Sequence, residues 1–258
     1  MLPILFQLGP IKFYTLGLFL VLALFWGSFI LWKLINLTPY NNTDAFDVLF
    51  FCLFGAVGFS RLFFVVLNWP NFGFNILKIA LINGYPGMSL VGALFGAFLF
   101  FWFYCFYRKK DFYELADYFV VPLFLALAIG KIGSFISGVD VGTKTDFFLS
   151  TNVVGYSGLR QIAAIYEALF YFVGFIASYK MLFKIRREQL NHGTIFYYFL
   201  LFFSLTNLLI DKIKENHLYL AGFSFNLIVA YITGTISIGY FIINYRQQLI
   251  NRITKLKK

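Results

Sequence analysis

Seven apolar runs, each about twenty residues long and divided by short polar stretches, recur along the 258-residue chain. About 20 helical residues cross a bilayer core about 30 Å thick. The runs at about 13–34, 47–68, 88–107, 117–138, 162–183, 194–212 and 222–244 all meet that length. The pattern predicts an all-α integral membrane protein: a seven-transmembrane-helix bundle forming one polytopic domain over residues 1–258. The polar gaps leave no room for a separate soluble domain.

Composition agrees, with 60% hydrophobic and only 12% charged residues, against about 25% charged in an average soluble domain. Most of the 21 Lys and Arg, eleven of them, lie in "YRKKDFYE", "FKIRREQ" and the tail "YRQQLINRITKLKK", which fall on one side of an alternating bundle. That side is expected to be the cytoplasm. The N-terminus and the connectors at about 69–87, 139–161 and 213–221 are then extracytoplasmic, and the C-terminus is cytoplasmic. A net charge of +10 is accounted for by these inner-face clusters and calls for no nucleic acid. The sequon Asn41-Asn42-Thr43 falls in an expected cytoplasmic loop and is set aside. Cys52 and Cys105 lie alone within apolar runs and read as packing residues. His192 and His217 are too far apart in sequence to suggest a metal centre. The opening "MLPILFQLGPIKFY" lacks a basic n-region and a small-residue cleavage site, so it is read as mature protein.

Ionisable residues inside spans are costly and mark candidate functional positions. Four stand out: Arg61 in "GFSRLFF", Lys131 in "GKIGSFISG", Glu167 in "AIYEALF" and Asp211 in "NLLIDKIK". At 1.5 Å per residue, Arg61 and Lys131 lie about 10 Å below the outer surface. With Tyr14 at the outer start of the first span, all fall in the outer half, as a single polar cavity there requires. The alternative is that Arg61–Glu167 or Lys131–Asp211 are ion pairs that only lock the bundle. Ala126, Gly130, Ser134 and Gly138 form a row of small residues at helical spacing, as do Gly92 and Gly96, and such rows admit a neighbouring helix or a lipid chain. An ammonium beside such a row, with a guanidinium at matching depth, suits a lipid phosphate.

In order along the chain, "LGPIKFYTLGLF", "GFSRLFFVVLNW", "PGMSLVGALFG", "IGKIGSFISGVDVGTKTD" and "AAIYEALFYF" resemble the motifs of the prolipoprotein diacylglyceryl transferase family. The likeness spans nearly the whole chain. It implies seven spans with the N-terminus outside, a bacterial plasma (inner) membrane location, and transfer of a diacylglyceryl group from phosphatidylglycerol to the lipobox cysteine thiol of a prolipoprotein signal peptide, with no cofactor and no metal. The catalytic residues it points to are Tyr14, Lys131, Glu167 and Asp211. The substrate-binding residues are Arg61, Lys131, Ser134, Gly142, Tyr166 and Asn207.

The chain departs from the family where the chemistry is done. Val91 stands in place of a histidine, Lys131 and Ser134 in place of arginine and asparagine, and Ile162 and Ala164 in place of proline and glutamine. Asn207, Asp211 and Lys214 stand where the family has Arg, Glu and Arg. Lysine for arginine keeps the charge but loses the bidentate fork, while valine for histidine removes a possible general base. The implied reaction needs a thiolate and a cationic clamp on the departing phosphate. Arg61 and Lys131 can form the clamp, with Glu167, Asp211 or Tyr14 as the base. A catalytically impaired lipid-binding relative is the alternative. A small transporter is a third reading, without an internal repeat to support it.

Overall fold

The computed structural model describes residues 2–9, 11–81, 84–220 and 222–256. Seven of its helices are long and apolar enough to cross a membrane, and the chain is a multi-pass membrane protein. They are α1 (Thr15–Ile35), α2 (Asn42–Leu67), α5 (Leu90–Arg108), α6 (Phe112–Ser137), α7 (Ala163–Arg186), α8 (Thr194–Ile210) and α9 (Phe225–Leu256), with α3 (Trp69–Phe72) and α4 (Ile76–Ala80) as short helices in one connector. All seven expected spans are present, with shifted ends. α2 and α6 each begin five residues early, because their first turns are helical but carry Asp44 and Glu114. The Asp111 side chain caps α6 by accepting from the Glu114 N–H at 3.0 Å, an arrangement that favours helix initiation. α9 runs past its expected end to Leu256; residues 257–258 of the basic tail lie outside the described residues.

The structure is not purely helical. Among the described residues, three antiparallel hairpins lie outside the helices: β1 (Ile4–Leu8) with β2 (Ile11–Tyr14) ahead of α1, and, in connectors, β3 (Ser150–Asn152) with β4 (Leu159–Gln161) and β5 (Tyr219–Leu220) with β6 (Phe223–Ser224). A hydropathy pattern does not register them, because they arise from main-chain groups that need partners wherever the chain leaves a helix.

α6 is the central helix and packs against α1, α7 and α8, while α2 pairs with α5 and α8 with α9. The glycine row of α5 is a packing seam: a Cβ on Gly96 would meet the Gly55 carbonyl of α2. The row on α6 is used unevenly. Ala126 faces Gly27 of α1, Gly130 opens onto free space, and Gly133, outside the expected row, receives the Phe19 ring. Asp117, buried within α6, accepts from the N–H groups of Gly193, Ile195 and Phe196 at 2.7, 3.0 and 3.1 Å. It thereby satisfies the start of α8.

Candidate active site

The site is assembled where the last turns of α6, the first turns of α7 and the segment after α8 meet. Lys131 of α6 places Nζ 2.7 Å from Asp140 Oδ2 and 2.8 Å from Glu167 Oε2. Lys214 donates to Glu167 Oε1 at 2.6 Å. Asp140, Lys131, Glu167 and Lys214 thus form a chain of alternating charge with no net charge. Ser134, one turn after Lys131, donates to the same Asp140 oxygen at 2.9 Å. Glu167 is 1% exposed and Lys131 9%, so these charges are held away from solvent and satisfied by one another. Satisfaction is incomplete: the Lys131 ammonium approaches Glu167 Oε2 off the hydrogen-bonding direction, and the buried Tyr171 hydroxyl one turn further along α7 has no partner among the described residues. Burial alone raises the Asp140 carboxyl. The Lys131 and Lys214 ammonium groups and the Ser134 hydroxyl outweigh it and hold Asp140 well below the usual carboxylate range.

Main-chain pairing fixes the frame. Gly142 bridges Lys214, the Thr143 N–H donates to Ile213 O at 2.9 Å, and the Glu215 N–H donates to Val141 O at 2.9 Å. On its other side, the Gln161 N–H donates to Thr143 O at 3.0 Å. A Cβ at Gly142 would collide with the Gln161 carbonyl, so only glycine lets segment 139–145 lie between its two neighbours. Arg160 of β4 closes the far side with an ion pair to Glu215.

Of the residues expected from sequence, Lys131, Ser134, Gly142 and Glu167 meet in this group. Tyr166 points the other way, lining an open apolar groove of about 360 Å³ with Leu169, Phe170, Val173 and Ile210. Asp211, in the 3-10 turn Asp211–Ile213 that follows α8, accepts a hydrogen bond from Ser224 at 2.9 Å. Asn207 donates to its own helix, to Phe203 O at 2.8 Å. Tyr14, at the end of β2, is 53% exposed. Val91 is buried in the core.

Arg61 and Lys131 do not converge on one partner. Arg61 donates to the carbonyls of Lys78, Ile79, Tyr85 and Gly87 at 2.8–2.9 Å and stacks on Phe64 and Phe72. Four of the five guanidinium donors hold the connector between α2 and α5. Neither suggested ion pair, Arg61–Glu167 or Lys131–Asp211, forms. The residues that sequence reasoning passed over are Asp140, Tyr171 and the direct role of Lys214. The signal for Asp140 was a carboxylate just beyond a span that carries a lysine. Tyr171 gave no signal, being one of 17 tyrosines.

A family model described as prolipoprotein diacylglyceryl transferase matches residues 3–243. The chain is similar to bacterial proteins named phosphatidylglycerol--prolipoprotein diacylglyceryl transferase. The protein from Listeria monocytogenes serotype 4b is 24% identical over 260 residues, covering 96% of this chain and 91% of its own. That from Staphylococcus saprophyticus is 23% identical over 231 residues (85% and 81%), and that from Streptococcus sanguinis 23% over 248 (93% and 94%). With a match running from the first hairpin into α9, and so through every element that builds the site, the chain belongs to the prolipoprotein diacylglyceryl transferase family.

Proposed function

We propose that this protein transfers the diacylglyceryl group of phosphatidylglycerol to the lipobox cysteine thiol of a prolipoprotein. We place it in the bacterial plasma (inner) membrane as one polytopic domain, with the site end and N-terminus extracytoplasmic and the C-terminus cytoplasmic. The single observation that carries the reading is the meeting of Lys131 and Lys214 on the buried Glu167 carboxylate. Two ammonium groups held by internal carboxylates can exchange those partners for a phosphate without either charge being left bare. As the glyceryl C–O bond breaks, negative charge grows on the departing glycerol phosphate, and cations fixed in a poorly solvated site stabilise it. The apolar groove is lined by Tyr166 and Ile210, the chain neighbours of Glu167 and Asp211, and is suited to an acyl chain. Sulfur attacks the glyceryl carbon, a C–S bond replaces the C–O bond, and the thiol proton passes to a carboxylate.

The second reading, a relative that binds lipid without transferring it, is favoured by Val91, which is buried in the core at the position where the resemblance implies a histidine. Expression in a bacterium depleted of its own transferase, with mass spectrometry of a reporter lipoprotein, separates the two. Transfer predicts a thioether-linked diacylglycerol on the reporter and its loss in Lys131→Met. Lys131→Arg, which restores the bidentate fork, should retain it. Well-folded protein that carries phospholipid but leaves the reporter unmodified would reject the transferase reading in favour of the second.

A further inference from the structure

Beyond the chain of charges lies a second polar cluster, on the segment that folds back from α8 to α9. Asp211 Oδ1 accepts from the Ser224 hydroxyl at 2.9 Å and lies 3.4 Å from His217 Nδ1. Ser224 Oγ is also 3.5 Å from Nδ1, and His217 Nε2 is 2.9 Å from the Lys214 carbonyl. A carbonyl only accepts, so Nε2 carries a proton. With that tautomer, Nδ1 of a neutral ring presents a lone pair to a carboxylate, and the contact becomes favourable when a further proton sits between them. Oδ1 of Asp211 and Nδ1 of His217 thus face each other at 3.4 Å.

It is not a hydrolase triad. There the serine faces the imidazole nitrogen remote from the carboxylate, whereas here Ser224 donates to Asp211, and Nε2 is engaged by main chain. Both oxygen contacts fall on Oδ1, and no hydrogen bond from the described residues reaches Oδ2. Lys214 ties the cluster to the site, its ammonium on Glu167 and its carbonyl on His217.

We infer that Asp211 and His217 act as one acid–base unit in the proposed transfer, the function on which this inference rests. Asp211 takes the proton of the acceptor thiol and shares it with His217 Nδ1. The S–H electron pair forms the new C–S bond, and the C–O pair leaves with glycerol phosphate. The unit then returns the proton to that phosphate monoester or to water. His217 acts through Asp211 as a positioning and proton-sharing residue. Among the described residues, the groups around the ring are Asp211, Ser224 of β6, Tyr219 of β5 with ring centroids 5.8 Å apart, and the Lys214 carbonyl.

The test is the pH profile of transfer from phosphatidylglycerol micelles to a synthetic lipobox peptide by purified wild-type, His217→Gln and His217→Asn protein. Glutamine can reach the Lys214 carbonyl and asparagine can reach Asp211, but neither titrates. Each is expected to lower kcat about 100-fold, the scale of a lost acid–base group, with KM for the lipid little changed and the acid limb of the profile flattened. If one substitution fails to fold, the other decides. Folded variants that keep kcat within about threefold, and keep the acid limb, overturn the inference while leaving the transferase reading standing. A folded, lipid-loaded wild type that transfers nothing overturns both.

Discussion

The Lys214 ammonium lies 2.6 Å from Glu167 Oε1, joining the segment after α8 to the first turns of α7 across 47 residues of chain. Lys131 approaches the other oxygen of the same carboxylate, so one buried anion holds two cations from different elements. Glu167→Gln would leave the two ammonium groups facing each other with no carboxylate between them. Breaking a buried pair from one side costs about 3 kcal/mol or more, and the expected result is a fall of several degrees in the unfolding midpoint in detergent, with transfer lost. A midpoint unchanged within a degree would show that the ion chain does not hold these elements together.

Asp140 gives this end of the protein its acid response. Its folded pKa is depressed below the unfolded value, so the stabilisation is present above the ordinary carboxylate pKa of about 3.9 and is lost as pH falls through the folded value. The stability difference between wild type and Asp140→Asn should be constant from about pH 8 to 5 and shrink below about pH 4. A difference that varies between pH 5 and 8 would contradict the assignment.

Arg61 is expected to act on its connector and not directly on the phosphate. Arg61→Lys replaces a fixed fork by a single ammonium that cannot reach all four carbonyls. Amide exchange in residues 76–81 and 84–88 should quicken at least tenfold, the equivalent of about 1.4 kcal/mol, while exchange at Lys131 and Glu167 stays as it was. Unchanged protection of the connector would argue against Arg61 as its anchor.

Asp117→Ala removes the acceptor for three N–H groups at the start of α8. Leaving buried donors unsatisfied costs about 1–3 kcal/mol each before relaxation, so a net loss of about 3 kcal/mol in stability is expected, with transfer retained in the protein that folds. Chemical denaturation in detergent measures it. A change under about 0.5 kcal/mol would mean that solvent or neighbouring groups replace the carboxylate.

The membrane-spanning pattern was legible along the chain because crossing a bilayer demands local properties: length, apolarity and a main chain that satisfies itself within each segment. The same holds for Lys131, Glu167 and Asp211, whose cost inside a span makes them visible as exceptions. Which partner each charge takes was not legible. Arg61 and Lys131 have similar depth and sign. One is enclosed by carbonyls of its own connector and the other by carboxylates from two elements, a difference set by how α2 pairs with α5 while α6 packs on α7. Asp140 looked like an ordinary loop residue until Gly142 drew its segment between two others, and Asp117 looked like the edge of a span until α8 began above it. The sequence determined where charge enters the membrane, because burying it is a property of each residue alone. Only the tertiary structure decided what neutralises it, because that depends on which helices, far apart along the chain, come within about 3 Å of one another.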